Sequence, residues 1–222
     1  MKLFELLSVT PGVTALIGSG GKTSLMYHLS SELRRQGTVL LTTTTHIYPP
    51  EQFPLATTAE ACEKALREKG VVCVGAPAEN GKWTAPSFEG WQTLADFVLV
   101  EADGAHGLPL KAHLPHEPVI PQGANNVICV VGASGWGQPI VAAAHRSERF
   151  AALAGVGPLT KATPEHTAAV IAAEGYAHRV FVNQTDALPR FSAGFVVKDF
   201  AKAANLPTTS GSLRQGAWQR IR

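Results

Sequence analysis

Within seven residues, Gly18-Ser19-Gly20-Gly21-Lys22-Thr23-Ser24 gathers amide donors, a cation and three hydroxyls beside each other. That combination suits a polyphosphate. Glycines let the backbone turn so that successive N–H groups face one anion. Lys22 adds a point charge, and the Thr23 hydroxyl is a hard oxygen of the kind Mg²⁺ accepts. The stretch Val13–Ile17 ahead of the loop is apolar and β-prone, and a helical pattern begins at Thr23. The loop therefore opens into a helix N-terminus, where unpaired amides and the macrodipole favour phosphate. Strand, glycine loop, Gly-Lys-Thr and helix are the context of a phosphate loop. The longer pattern asks for a glycine five residues before Gly21, and Leu16 stands there, so this is a shortened variant.

Further groups extend this chemistry. Glu101 and Asp103 follow the apolar run Phe97–Val100 and alternate onto one side of its end. A carboxylate there, with the Thr23 hydroxyl, is the usual pair around Mg²⁺ in nucleotide hydrolases. Glu101-Ala-Asp-Gly104 also has the spacing of an Asp-x-x-Gly switch, which brings Gly104 into the nucleotide site. Thr42–Thr45 close a second apolar run, so Thr43 and Thr44 are candidates for the γ-phosphate, Mg²⁺ or a second substrate. Lys111 is a candidate phosphate or anion contact. His106, His113, His116 and Glu117 offer either soft-metal ligands or a rigid loop that moves with the γ-phosphate. His145, Arg146 and Arg149 follow a glycine-rich segment; Arg146 could stabilise transferring phosphoryl charge, or pair with Glu148. Asn183-Gln-Thr-Asp186 resembles the guanine-reading Asn-Lys-x-Asp motif, with Gln184 in the lysine's place. Asp186 would accept both guanine N–H donors.

These residues need a scaffold, and the periodicity supplies one. Leu25, Leu29 and Leu33 recur at a helical spacing, predicting a helix from Thr23 to about Gln36 that Gly37 ends. Thr57-x-x-Glu60 predicts a capping box, and Gly70 closes the helix it opens. Thr163-Pro164-Glu165 predicts another, ending near Gly175. A helix is also expected around 145–154, and a hairpin turn at Asn80-Gly81. Strands are expected near 13–17, 38–45, 71–74, 97–100, 127–131 and 179–182, the last being the final clear core strand. Near-continuous apolar strands alternating with helices predict an α/β fold: a mostly parallel sheet covered by helices on both faces, like that of phosphate-loop NTPases. Ligands of such sheets sit beyond the carboxyl ends of the strands, where all the candidate residues fall.

Composition sets bounds. With 222 residues the chain can bury a substantial core, and it is read as a single domain over 1–222. A net charge of +2 gives no reason to expect nucleic acid or an acidic membrane as partner. Cys62, Cys73 and Cys129 are far apart and lie in apolar surroundings, which predicts buried free thiols in a reducing compartment. Lys2 and Glu5 stand where a signal peptide needs its apolar centre, and no apolar run is long enough to span a membrane. The expected location is the cytoplasm.

In this order the motifs resemble the YqeC family, described as accessory proteins of selenium-dependent molybdenum hydroxylases. The pieces are Ile17–Thr23, Leu41–Thr45, Val100–Ala105, Gly107–Lys111, His116–Pro121, Val141-x-x-x-His145-Arg146, Asn183-x-x-Asp186 and Gly211–Leu213. The resemblance implies a cytoplasmic phosphate-loop protein that helps mature a molybdenum hydroxylase or its cofactor. Joined to the residues, it gives an Mg²⁺-dependent NTP-binding protein, a slow NTPase favouring GTP over ATP. Lys22, Glu101, Asp103 and Arg146 are its catalytic candidates. A small-molecule kinase and a non-hydrolysing nucleotide-bound scaffold are the alternatives.

Overall fold

Phe97–Glu101 is buried at all five positions, the signature of a strand covered on both faces. In the computed structural model, which describes residues 1–222, it belongs to the first of two compact units. That unit comprises Met1–Leu16, Thr23–Gly104 and Val119–Asn126; the second comprises Ile17–Lys22, Ala105–Pro118 and Val127–Arg222. The chain crosses from one to the other at each end of the glycine loop.

In the first unit, helix α1 (Leu3–Leu6) precedes strand β1 (Gly12–Gly18), whose residues to Leu16 lie here. Helix α2 (Lys22–Leu33) buries Leu25, Met26, Leu29 and Leu33 fully, on the face that the sequence spacing marked. Strands β2 (Val39–Thr43), β3 (Leu55–Ala56), β4 (Val71–Val74) and β7 (Phe97–Glu101) complete a parallel array ordered β1-β7-β2-β4-β3. Between β4 and β7, β5 (Ala76–Pro77) and β6 (Trp83–Thr84) form the expected hairpin, with Asn80 and Gly81 both at positive φ. Helix α3 (Ala59–Lys69) presses Cys62 and Leu66 onto Val13, Leu40, Val72, Val98 and Val100. Its cap is Thr58, which accepts the Ala61 N–H at 3.2 Å, one residue later than the box predicted at Thr57. Gly70 ends it in the left-handed region, at φ 69°.

The second unit holds β8 (Leu110–Lys111), most of β9 (Ala124–Gly132), β10 (Ala144–His145), β11 (Arg179–Asn183), β12 (Thr208–Ser212) and β13 (Ala217–Arg220). Its main strands run β13-β12-β11-β9, parallel except for the β12–β13 pair. Helix α6 (Pro164–Glu174) begins at Thr163, which accepts the His166 N–H, and ends at left-handed Gly175, as its sequence predicts. Helix α7 (Ala193–Ala204) packs on it, and Phe200 meets Trp136 with ring centroids 5.6 Å apart. Helix α4 (Ile140–Ala143) and β10 lead into α5 (Ser147–Leu153), the helix expected around 145–154. It starts two residues late, because His145 belongs to β10 and Arg146, left-handed at φ 62°, is its N-cap. Strand β12 is buried at every position although its sequence, Thr-Thr-Ser-Gly-Ser, carries no apolar side chain. It lay beyond the strands predicted from apolar runs. The fold is α/β, with mostly parallel strands and helices packed on them.

Cys62, Cys73 and Cys129 are buried and free, and burial pushes the Cys62 thiol up to about 11 and that of Cys73 to about 12. These two are not thiolates near neutral pH. No helix is long and apolar enough to cross a membrane.

Candidate functional site

The glycine loop belongs to the second unit, and its shape depends on close backbone approach. Gly18, Gly20 and Gly21 have φ of 88°, 85° and 122°. A Cβ on Gly18 would stand 2.4 Å from the Val130 carbonyl, and one on Gly20 2.4 Å from the Gly132 backbone. At Gly21 it would meet the Asn183 amide at 2.6 Å. No side chain fits at any of the three. The Ser19 N–H bonds the Val130 carbonyl at 2.8 Å, and its hydroxyl donates to the Leu108 carbonyl. The buried Lys22 ammonium curls back to donate to the Gly18 carbonyl at 2.6 Å, so the loop and its lysine close on each other.

Asn183, at the end of β11, ties this loop to the next strand end. Its Nδ2 donates to the Gly20 carbonyl at 2.8 Å, and its Oδ1 accepts the Leu213 N–H at 3.1 Å. Gln184, in the left-handed region at φ 61°, accepts the Ser134 hydroxyl at 2.5 Å. The Asp186 carboxylate pairs with Arg214 at 3.1 Å. The Arg214 side chain is 83 % exposed and that of Asp186 only 15 %, so an exposed arginine covers a sheltered carboxylate.

The hydroxyl and the acidic motif lie in the first unit. Thr23, in the first turn of α2, donates from Oγ1 to Glu101 Oε2 at 2.7 Å. Leu16, Glu101 and Thr43 are in register across β1, β7 and β2, which sets the carboxylate at the strand ends. The Thr43 hydroxyl donates to the Glu101 carbonyl at 2.8 Å, and the Thr44 hydroxyl to the Val119 carbonyl at 2.7 Å. Both threonines therefore give their protons to backbone, and their part here is to hold the Glu101 segment and its neighbour in place. Asp103 is fully buried, Gly104 follows it half-buried, and Ser24 is exposed. Of the two carboxylates, Glu101 is the one joined to the hydroxyl.

Segment 105–118 and the β10–α5 stretch of the second unit carry the remaining candidates. Lys111 Nζ reaches Glu117 Oε2 at 3.0 Å, and Arg146 Nη2 lies 3.8 Å from Glu117 Oε1. Glu117 thus takes the place expected for Glu148 as the acidic neighbour of Arg146. His113 bonds Glu174 through both its backbone N–H and Nδ1, the latter at 2.7 Å, and Arg149 donates to the His113 carbonyl. His106 stacks on His145, and His116 is exposed. The histidines do not converge on one metal. Burial, followed by the charges of Lys111 and Arg146, lowers His145 to about 4.

Glu174 and Arg214 escaped the sequence reading. Glu174 closes a helix 61 residues from its partner, and Arg214 sits in a polar turn, so no local spacing pointed to either.

A glycine cradle at the end of β1, followed directly by Lys-Thr and a helix, defines a phosphate-loop α/β protein. A family model described as YqeC protein matches residues 14–148. A relative in Escherichia coli (strain K12), named as an uncharacterized YqeC protein, is 34 % identical over 160 residues. The match covers 67 % of this chain and 62 % of the relative. The chain belongs to the YqeC family. Among solved structures, it is similar to the signal recognition particle 54 kDa protein of Aeropyrum pernix K1, solved with GDP. There the TM-score is 0.44 at 19 % identity, over 95 % of this chain and 44 % of that one.

Proposed function

We propose that this chain binds an Mg²⁺–nucleoside triphosphate on the Gly18–Thr23 loop and hydrolyses it slowly, with GTP favoured over ATP. The observation that carries the proposal is the 2.7 Å bond from the Thr23 hydroxyl to Glu101. It brings a neutral oxygen and a carboxylate together directly after the glycine cradle, a donor set of the hard kind that suits Mg²⁺. Thr23 and Glu101 are the residues that would hold the ion, with buried Asp103 behind them. Bound Mg²⁺ would neutralise charge on the phosphates.

The amides of Gly18 to Gly21 and the Lys22 ammonium would hold the phosphate oxygens. The ammonium carries three N–H donors, so it can keep its bond to the Gly18 carbonyl, which holds it at the loop, and meet a phosphate oxygen as well. Asp186 would read guanine through its two N–H donors once Arg214 swings aside. Lys111 lies on the segment that Leu108 anchors to Ser19, and Arg146 approaches that segment through Glu117 at 3.8 Å, which supports their action on transferring charge. The YqeC resemblance supports an accessory role, in the cytoplasm, toward a selenium-dependent molybdenum hydroxylase or its cofactor.

The test is calorimetric binding of GTP and ATP with Mg²⁺ and with chelator, followed by γ-labelled phosphate release. Mg²⁺-dependent binding and transfer of label to water are expected. Binding that ignores both Mg²⁺ and a Glu101→Gln change would overturn the proposal.

A further inference from the structure

His106, Lys111, Glu117, His145 and Arg146 form a cluster in the second unit, of which the nucleotide proposal uses only Lys111 and Arg146. Strands β8 and β10 pair in parallel with Lys111 opposite His145, and the Ala112 N–H bonds the His145 carbonyl at 3.1 Å. This small ladder sets a cation and an imidazole side by side. The His106 and His145 rings stack at 4.6 Å, 18° from parallel. Lys111, with its side chain fully buried, is anchored by Glu117.

Two features mark the cluster as more than a packed ion pair. His106 (φ 50°) and Arg146 (φ 62°) both sit in the left-handed region without being glycine. Such residues are strained, and they gather where a structure holds a side chain for a ligand. The second feature is a surplus of donors. The Arg146 guanidinium makes no hydrogen bond to the protein; its nearest acidic oxygen is at 3.8 Å, and it is 38 % exposed. Neither imidazole is hydrogen-bonded within the protein.

We infer that this cluster is a binding site for a small singly charged oxyanion, a phosphate or carboxylate group, held by Arg146 and the two imidazoles over the Lys111–Glu117 pair. Arg146 presents a planar fork that matches either group. The depressed His145 stays neutral near pH 7, so it offers one N–H donor and one acceptor nitrogen, and suits an anion that keeps a proton or hydroxyl. Glu117 fixes the cations and disfavours a dianion. The assignment does not depend on which nucleotide the glycine loop takes.

The test follows the ring nitrogens of His106 and His145 by ¹⁵N NMR during titration with inorganic phosphate and, separately, with acetate. Chloride at matched ionic strength is the control. Saturable shifts with phosphate, acetate or both are expected, and which of them saturates identifies the group. Arg146→Gln should weaken binding roughly tenfold or more, as expected for losing charge-assisted bonds. Arg146→Gly should weaken it equally while the melting temperature holds or rises, because glycine relieves the left-handed backbone. A purely structural arginine would lose stability instead. Lys22→Ala should leave these shifts unchanged, which separates this site from phosphate held by the glycine loop. Shifts matched by chloride, unaltered affinity in Arg146→Gln, or loss of the signal in Lys22→Ala would each overturn the assignment.

Discussion

Asn183→Ala should destabilise the protein and loosen the phosphate loop together. Asn183 is 5 % exposed and bonds the Gly20 carbonyl at 2.8 Å and the Leu213 N–H at 3.1 Å. Removing it leaves the buried Gly20 carbonyl without this donor, at a cost of about 1–3 kcal/mol for an unmet buried group. Leu213 is half-buried, so water can replace that bond at a cost of roughly 0.5–1.5 kcal/mol. The sum is about 1.5–4.5 kcal/mol, to be read as a lower urea midpoint at unchanged slope. Asn183→Asp discriminates further: it still accepts from Leu213, but it faces the Gly20 carbonyl with a carboxylate and adds negative charge beside the phosphates. Triphosphate affinity should therefore fall further in the aspartate variant than in the alanine variant. A loss of under about 0.5 kcal/mol in Asn183→Ala, the size of an ordinary surface change, would refute the bracing role.

Gly21→Ala should couple to Asn183, since its Cβ would stand 2.6 Å from the Asn183 amide; a double-mutant cycle in urea should return an interaction of roughly 0.5–3 kcal/mol, and strict additivity would contradict it. Glu101→Gln should raise the Mg²⁺ concentration needed for triphosphate binding, while Asp103→Asn should act mainly on stability because that side chain is fully buried; paired Mg²⁺ titrations and melts decide. Arg214→Ala should strengthen GTP binding relative to ATP by removing the competing partner of Asp186, and Asp186→Asn should shift preference toward xanthosine triphosphate; equal GTP-to-ATP ratios in all three proteins would end the guanine assignment. His145 is lowered from 6.5 to about 4, so the folded state resists its proton; its contribution to stability is present above about 6.5 and is lost as pH falls toward 4. Denaturation at stepped pH should show that slope, and His145→Gln should flatten it.

The sequence by itself determined the parts whose information is local. The glycines, Lys22 and Thr23 specify a loop because φ and amide direction are set within a few residues. Caps at Thr163 and Gly175 and the apolar runs of β7, β9 and β11 are legible for the same reason. Tertiary structure decided what depends on partners distant in the chain. It chose Glu101 over Asp103 for the Thr23 hydroxyl through strand register, 78 residues apart. It turned the Thr43 and Thr44 hydroxyls to backbone and set Glu174 on His113. It also made a buried strand of Thr208–Ser212, whose place between β11 and β13 satisfies its backbone without any apolar pattern. It also set where helix α5 starts, because His145 is taken by the ladder between β8 and β10 and Arg146 turns the chain into the helix. Propensity is summed over neighbours in sequence, whereas hydrogen bonds and charges are settled by neighbours in space.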